Sequence, residues 1–275
     1  MSLSLPRALL RTTRTFTTTC RSSSEDPTTK KEKPLYGTAP SHRSYIFIHA
    51  SEPPFSFPAR LSTPLQRALQ LKVMKWGGTI NFSWLGPPKS TGGGPALTAF
   101  SALGGRLEVP ELNMDNMEEV AEVLERHATE GPLGSGTSDE IHLYVCTHGA
   151  RDCRCGEMGG AVLRALQEEV ARLAKADPLG IASRIKIGEV GHVGGHQYAA
   201  NLLIYPHGEW LGMLKPEDVP IVLARVLDSP VRPYTSEDAP IVPSHWRGRM
   251  GFAKDDQAQL FQSLYPNSLL TPSID

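Results

Sequence analysis

Ile141-His142-Leu143-Tyr144-Val145-Cys146-Thr147-His148-Gly149-Ala150-Arg151-Asp152-Cys153-Arg154-Cys155 opens the half of the chain that decides the fold. Its first residues are apolar, aromatic or β-branched, the composition of a buried strand, and that strand delivers Cys146 at its end. Gly159-Gly160 leads into a helix expected over residues 161–175, apolar at Val162, Leu166, Val170 and Leu173. Residues 185–190 read as a second strand, which delivers His192. Residues 201–205 and 210–214 flank Pro206-His207-Gly208-Glu209 as a hairpin. Lys215-Pro216-Glu217-Asp218 then opens a helix reaching residue 227, with proline and acids in its first turns. Strand, helix, strand, hairpin, helix is the order of a small α/β layer. Cys146 and His192 both fall just beyond strand ends, where open α/β sheets place their sites.

Upstream, Tyr45-Ile46-Phe47-Ile48 is strand-like, and Thr63 caps a helix expected over residues 64–75 that Gly77-Gly78 ends. Residues 79–84 alternate as a half-buried strand. Residues 86–95 form a glycine-rich loop without the Gly-Lys-Ser/Thr order of a phosphate-binding loop. Asp115 is expected to cap an acidic helix to residue 128, whose Glu118, Glu119, Glu122 and Glu125 make a solvated face. The Gly- and Ser-rich stretch 129–138 is the best domain boundary. A proline-rich segment follows residue 228, then His245-Trp246-Arg247-Gly248 and a short helix near residues 255–264.

The chain has 275 residues, 28 Lys and Arg against 29 Asp and Glu, and a net charge of -1. It is long enough for a substantial core. The balanced charge offers no basic field for nucleic acid, and no apolar run reaches the ~18 to 20 residues that span a bilayer. Residues 1–24 carry Arg7, Arg11, Arg14 and Arg21, many Ser and Thr, and no acid, the composition of a mitochondrial transit peptide. Residues 22–43 read as a linker, which places the amino-terminal α/β region at 44–138, a second α/β domain at 139–228 and a carboxyl-terminal extension at 229–275.

Three of the four cysteines, Cys146, Cys153 and Cys155, crowd into one loop, and His192-Val193-Gly194-Gly195-His196 follows a strand later. Thiolates with imidazoles suit tetrahedral zinc or an iron–sulfur cluster of mixed ligation. The two glycines favour a tight loop over a helical His-x-x-x-His face. Arg151 and Arg154 favour thiolates. Cys153 with Cys155 could instead form a Cys-x-Cys dithiol, and residue chemistry alone leaves zinc, cluster and dithiol open.

Cys146 and Cys155 with His192-Val193-Gly194-Gly195-His196, together with Asp152-Cys153-Arg154-Cys155-Gly156 and His245-Trp246-Arg247-Gly248, resemble the signature of the sucrase/ferredoxin-like family over residues 139–260. The resemblance implies an α/β chain whose carboxyl-terminal part is a thioredoxin-like ferredoxin domain, preceded by a divergent, smaller α/β region. It implies a [2Fe-2S] cluster with Cys146 and Cys155 on one iron and His192 and His196 on the other, installed by iron–sulfur assembly machinery. With the presequence, it implies a protein of the mitochondrial matrix that passes electrons between a donor and an acceptor the sequence does not identify. Neutral imidazoles would raise the potential above that of an all-cysteine ferredoxin and couple reduction to protonation. Cys153 is extra to this pattern. His49, His127 and His142 read as ordinary residues, and His148 could hydrogen-bond a ligand. Trp246 and Arg247 either cover the site or anchor the carboxyl terminus. No residue set resembles a nucleophile–base pair or a substrate pocket, so electron transfer is the expected role, and any enzymatic activity would be that of an oxidoreductase.

Overall fold

The computed structural model describes residues 34–87, 94–133 and 139–266, all within one compact unit, Lys31–Asp275. The expected transit peptide and much of the linker lie outside the described residues.

The first part of the unit runs β1 (Ser44–His49), α1 (Pro64–Val73), β2 (Gly78–Trp84), β3 (Leu97–Ser101), β4 (Gly105–Val109) and α2 (Met117–Thr129). Thr63 caps α1, its side chain accepting from Gln66 N at 3.1 Å, with Pro64 at the first helical position. Gly77, at φ 92°, ends the turn that follows α1. β1 pairs in parallel with β2 and antiparallel with β3, and β3 pairs antiparallel with β4. The hairpin β3–β4 was not expected, because it follows a glycine- and proline-rich stretch that reads as loop. At α2 the expected Asp115 cap does not form. The helix starts after Asn116, and the side chains of Asn113 and Asn116 bind the entering backbone instead.

The second part repeats this plan. It runs β5 (Ile141–Cys146), α3 (Cys153–Ala176), β6 (Ile185–Val190), β7 (Leu202–Tyr205), β8 (Glu209–Leu211) and α4 (Val219–Leu227). β5 is parallel to β6 and antiparallel to β7, and β7 is antiparallel to β8. This βαβ unit followed by a hairpin and helix is the thioredoxin-like arrangement. The strand orders β4-β3-β1-β2 and β8-β7-β5-β6 match term for term, so the amino-terminal region has the same topology as the carboxyl-terminal part. α3 corrects the expectation. It begins at Cys153, capped by Asp152, and holds Gly159 and Gly160 inside it. β9 (Trp246–Arg249) adds to β8, and α5 (Lys254–Leu264) packs Phe261 against Trp246 with ring centroids 5.8 Å apart.

The strands form one nine-stranded sheet in the order β4-β3-β1-β2-β6-β5-β7-β8-β9. Among the described residues its halves pair through Ser83↔Val190 and Trp84↔Glu189 on β2 and β6. In a flat sheet β1 and β5 would lie roughly 14 Å apart. Instead Phe47 and Tyr144 stack at 3.9 Å and Phe100 and Tyr205 at 4.5 Å. The sheet is therefore folded over at the β2–β6 seam, with aromatic side chains of both halves between its faces. α1 and α2 cover one outer face through Leu69, Val73 and Leu124. α3 and α4 cover the other through Val162, Leu166, Val222 and Val226. The layers run helix, sheet, sheet, helix, which explains why β1 and β5 are apolar on both faces.

Candidate metal centre

β5 ends in Cys146 and α3 begins two residues before Cys155, and both thiols are free and about 1% exposed. His192 follows β6. The ligating atoms of Cys146, Cys155 and His192 all lie within 4.8 Å of one another, with Cys155 Sγ 3.7 Å from His192 Nδ1. His196 stands just outside this group. Its ring centroid is 5.8 Å from that of His192, and its Nδ1 is 3.8 Å from Asp152 Oδ2. The fold thus brings together three of the four expected ligands and sets the fourth alongside. Cys153 is not part of the group, and Cys155 is a free thiol, so the two do not form a disulfide with each other.

Glycines permit the close approach. A Cβ at Gly159 would lie 2.1 Å from the Cys146 carbonyl oxygen, so only glycine lets α3 start against the end of β5. Gly195 takes φ +69°, and a Cβ there would meet Arg247 Nη2 at 2.5 Å.

Several groups fix the histidine loop. His192 N–H donates to His148 Nδ1 at 3.3 Å, while His148 Nε2 donates to the Pro58 carbonyl at 3.0 Å, one consistent tautomer. Asn81 Nδ2, on β2, donates to the carbonyls of Gly191 at 3.2 Å and His192 at 3.4 Å. The amino-terminal half therefore buttresses the site, through Pro58 and Asn81, which no sequence pattern signalled. Arg247 is buried beneath the loop. It donates to Asn201 Oδ1 at 2.6 Å, the Thr38 carbonyl at 2.8 Å and the Gly194 carbonyl at 3.4 Å, and lies over Tyr198. Of the two roles open to Trp246 and Arg247, Trp246 packs as the anchor and Arg247 reaches the site.

The thiols are polarised. A hydrogen bond from Cys155 holds the Cys146 thiol well below its usual range against the opposing effect of burial, aided by His192 and the backbone of Val193 and His148. Cys155 is pushed up, because it keeps the proton it shares with Cys146 and is itself desolvated. The pair thus favours negative charge on Cys146, beside the first turn of a helix whose dipole favours it too. Burial lowers Arg247 to about 10, with Tyr198 and Cys146 acting in the opposite sense. Two buried sulfurs, an imidazole and a second imidazole beside them form a donor set suited to zinc or iron–sulfur.

Comparison with known proteins adds four findings. The sucrase/ferredoxin-like family model matches residues 35–248. Altered inheritance of mitochondria protein 32 of Meyerozyma guilliermondii is 42% identical over 85 residues, 30% of this chain and 28% of that protein. Actin patches distal protein 1 of Saccharomyces cerevisiae is 29% identical over 104 residues, 35% of this chain and 33% of that protein. Each of these matches spans a third or less of the relative's own length. Among solved structures, a thioredoxin-like [2Fe-2S] ferredoxin from Aquifex aeolicus aligns with 34% of this chain and 87% of its own, at 23% identity and a TM-score of 0.28.

Proposed function

The chain belongs to the sucrase/ferredoxin-like family, and from that premise we propose that Cys146, Cys155, His192 and His196 hold a [2Fe-2S] cluster and that the protein transfers single electrons in mitochondria, in the matrix. The observation that carries this reading is the convergence of Cys146, Cys155 and His192 within 4.8 Å, beside His196, at the ends of β5 and β6. The relatives named for altered inheritance of mitochondria support the compartment. Among the described residues no helix is long and apolar enough to cross a membrane. The cluster would come from iron–sulfur assembly machinery, and the donor and acceptor are separate proteins or small molecules.

When bound, such a cluster supplies one-electron redox chemistry at a potential raised by its neutral imidazole ligands. The residues of this chain prepare for it. Cys146 is the more readily ionised of the two thiols, and both are bound as thiolates once metal arrives. His148 and Asn81 hold the His192 backbone in place. His192 presents Nδ1 to Cys155, which leaves Nε2 as the nitrogen able to hold or release a proton. The Asp152 carboxylate faces Nδ1 of His196 at 3.8 Å. Arg247 supplies buried positive charge that offsets the negative charge of thiolates and electron. On this reading the midpoint potential falls as pH rises, and a flat potential overturns the proton coupling.

The decisive experiment is iron, sulfide and zinc analysis with low-temperature EPR on anaerobically purified protein, before and after dithionite. About two irons and two sulfides per chain with a signal only on reduction is the expected result. One zinc and no signal would make this a structural zinc protein.

A further inference from the structure

The registers Ser44↔Gly78 and Ile141↔Ile185 align the repeats strand by strand. Phe47 then corresponds to Tyr144, Phe100 to Tyr205, and His49 to Cys146. The stacked pairs Phe47–Tyr144 and Phe100–Tyr205, and the paired Ser83–Val190, are each formed by corresponding residues. They mark a local twofold axis between the repeats. The place that answers to the metal centre lies at the end of β1, the start of α1 and the end of β2, and it has no cysteine.

A cavity of about 1280 Å³ opens there, lined by His49, Thr63, Leu65 and Leu85 from those element ends. It exceeds the roughly 300–1,000 Å³ of ordinary small-molecule sites. Its walls are largely apolar, with Phe57, Phe82, Pro95, Pro110 and Ile187 among them. Its polar end holds Arg106, Glu108, Glu140, His142 and Lys186. Those charges are already matched. Arg106 pairs with Glu108 at 3.2 Å and with Glu140, and Lys186 pairs with Glu140 at 3.4 Å. An anionic ligand would meet no unbalanced positive charge there, because Glu108 and Glu140 already offset Arg106 and Lys186. A neutral carbonyl oxygen needs none, since a guanidinium with five N–H groups and an ammonium with three retain donors to spare. Phe57, Leu61 and Phe82 also line a second, smaller hollow that reaches His148 and His192. The cavity and the metal centre are therefore separated by a wall of these side chains, with Phe57 set edge-on to His148 at 5.7 Å.

We propose that this cavity is a binding site for an uncharged, planar, largely apolar carbonyl compound of the quinone class. Its ring lies among Phe57, Phe82 and the prolines, and its carbonyl oxygens accept from Arg106 and Lys186. The site itself stands on the geometry. The choice of a redox-active ring among such carbonyl compounds rests on the proposed function, because only the wall of Phe57, Leu61 and Phe82 divides the cavity from the hollow that reaches His192.

The test is calorimetric titration of the full-length, metal-loaded protein with ubiquinone-1, whose fully substituted ring does not alkylate thiols. Two variants, Ala96→Trp and Leu65→Trp, place a large side chain in the cavity, with near-ultraviolet circular dichroism to verify the fold. Saturable one-site binding, weakened at least tenfold in either folded variant, is expected. No binding by the unaltered protein overturns the proposal, as does undiminished binding in both variants. Preferential binding of dodecanoate in competition overturns the uncharged occupant. If the metal proves to be zinc while ubiquinone-1 binds as expected, the cavity stands and the redox reading falls.

Discussion

Phe47 of β1 and Tyr144 of β5 stack at 3.9 Å with their rings within 16° of parallel, although β2 and β6 lie between them in the sheet order. The contact exists because the two repeats face each other across the fold in the sheet. Offset aromatic pairs contribute about 0.5–1.5 kcal/mol beyond their burial. Phe47→Leu and Tyr144→Leu should each destabilise the protein, and the double variant should lose less than the sum by about that amount. Urea unfolding of the four proteins measures it. Full additivity would mean that the repeats do not support each other at this point.

Removing a ligand should remove the colour of the loaded protein. Cys146→Ser and Cys155→Ser should each abolish most visible absorption, whereas Cys153→Ser should leave the spectrum nearly intact. His196→Cys should keep a cluster and lower its midpoint potential, because a thiolate replaces a neutral imidazole. Absorption spectra and a redox titration read these outcomes. Loss of colour in Cys153→Ser would assign the wrong cysteine, and an unchanged potential in His196→Cys would leave His196 outside the ligand set.

The carboxyl-terminal repeat was legible because each of its elements carries its own signal: an apolar run for β5, a periodic face for α3, turn residues at Pro206-His207-Gly208. The start of α3 was misread because Gly159 and Gly160 look like a helix boundary. They are required inside the helix, where Gly159 meets the Cys146 carbonyl. The amino-terminal repeat was not recognised. Its β3–β4 hairpin follows a glycine-rich loop, and His49 stands where the motif would need cysteine, so nothing local announced a second copy. Cys146, Cys155, His192 and His196 were visible as a pattern of donors. Asn81, Pro58 and the cavity beside them were not, since they are assembled by packing between halves distant in sequence.

Arg249 and Glu209 form a fully buried ion pair at 2.6 Å. Arg249 also binds the carbonyls of Thr235, Asp238 and Ala239, and Glu209 accepts from Ile241 N at 3.0 Å. The pair ties the proline-rich segment after α4 to β8 and β9. Arg249→Met leaves a buried carboxylate unpaired and should cost about 3–5 kcal/mol. Adding Glu209→Leu should recover part of that loss. A single variant as stable as the parent in chemical denaturation would refute the pair as a determinant of this segment.

His207 is buried against Tyr234, and desolvation lowers it to about 4, with Arg232 and Arg249 adding to the effect. A histidine depressed in the folded state adds stability above the unfolded value near ~6.5. That stability is lost as pH falls through the folded value, because the unfolded chain takes up the proton first. His207→Phe keeps the ring and removes the proton site. Between pH 6.5 and 4 its unfolding free energy should fall less steeply than the parent's, by up to about 1.4 kcal/mol per pH unit. Equal slopes would mean that His207 titrates normally in the folded protein.

Arg247 separates a structural from an electrostatic role at the metal centre. It holds the Gly194 carbonyl and Asn201, and it places a buried positive charge near Cys146. Arg247→Lys keeps the charge but loses the planar set of donors, whereas Arg247→Met loses both. If the charge matters, Met should lower the midpoint potential and Lys should largely restore it. A buried charge at such range is worth on the order of 1 kcal/mol, roughly 40 mV for one electron. If only the scaffold matters, both variants should weaken cluster retention alike and leave the potential of the loaded fraction unchanged. Potentiometric titration followed by EPR distinguishes the two, because it reports only the molecules that hold a cluster.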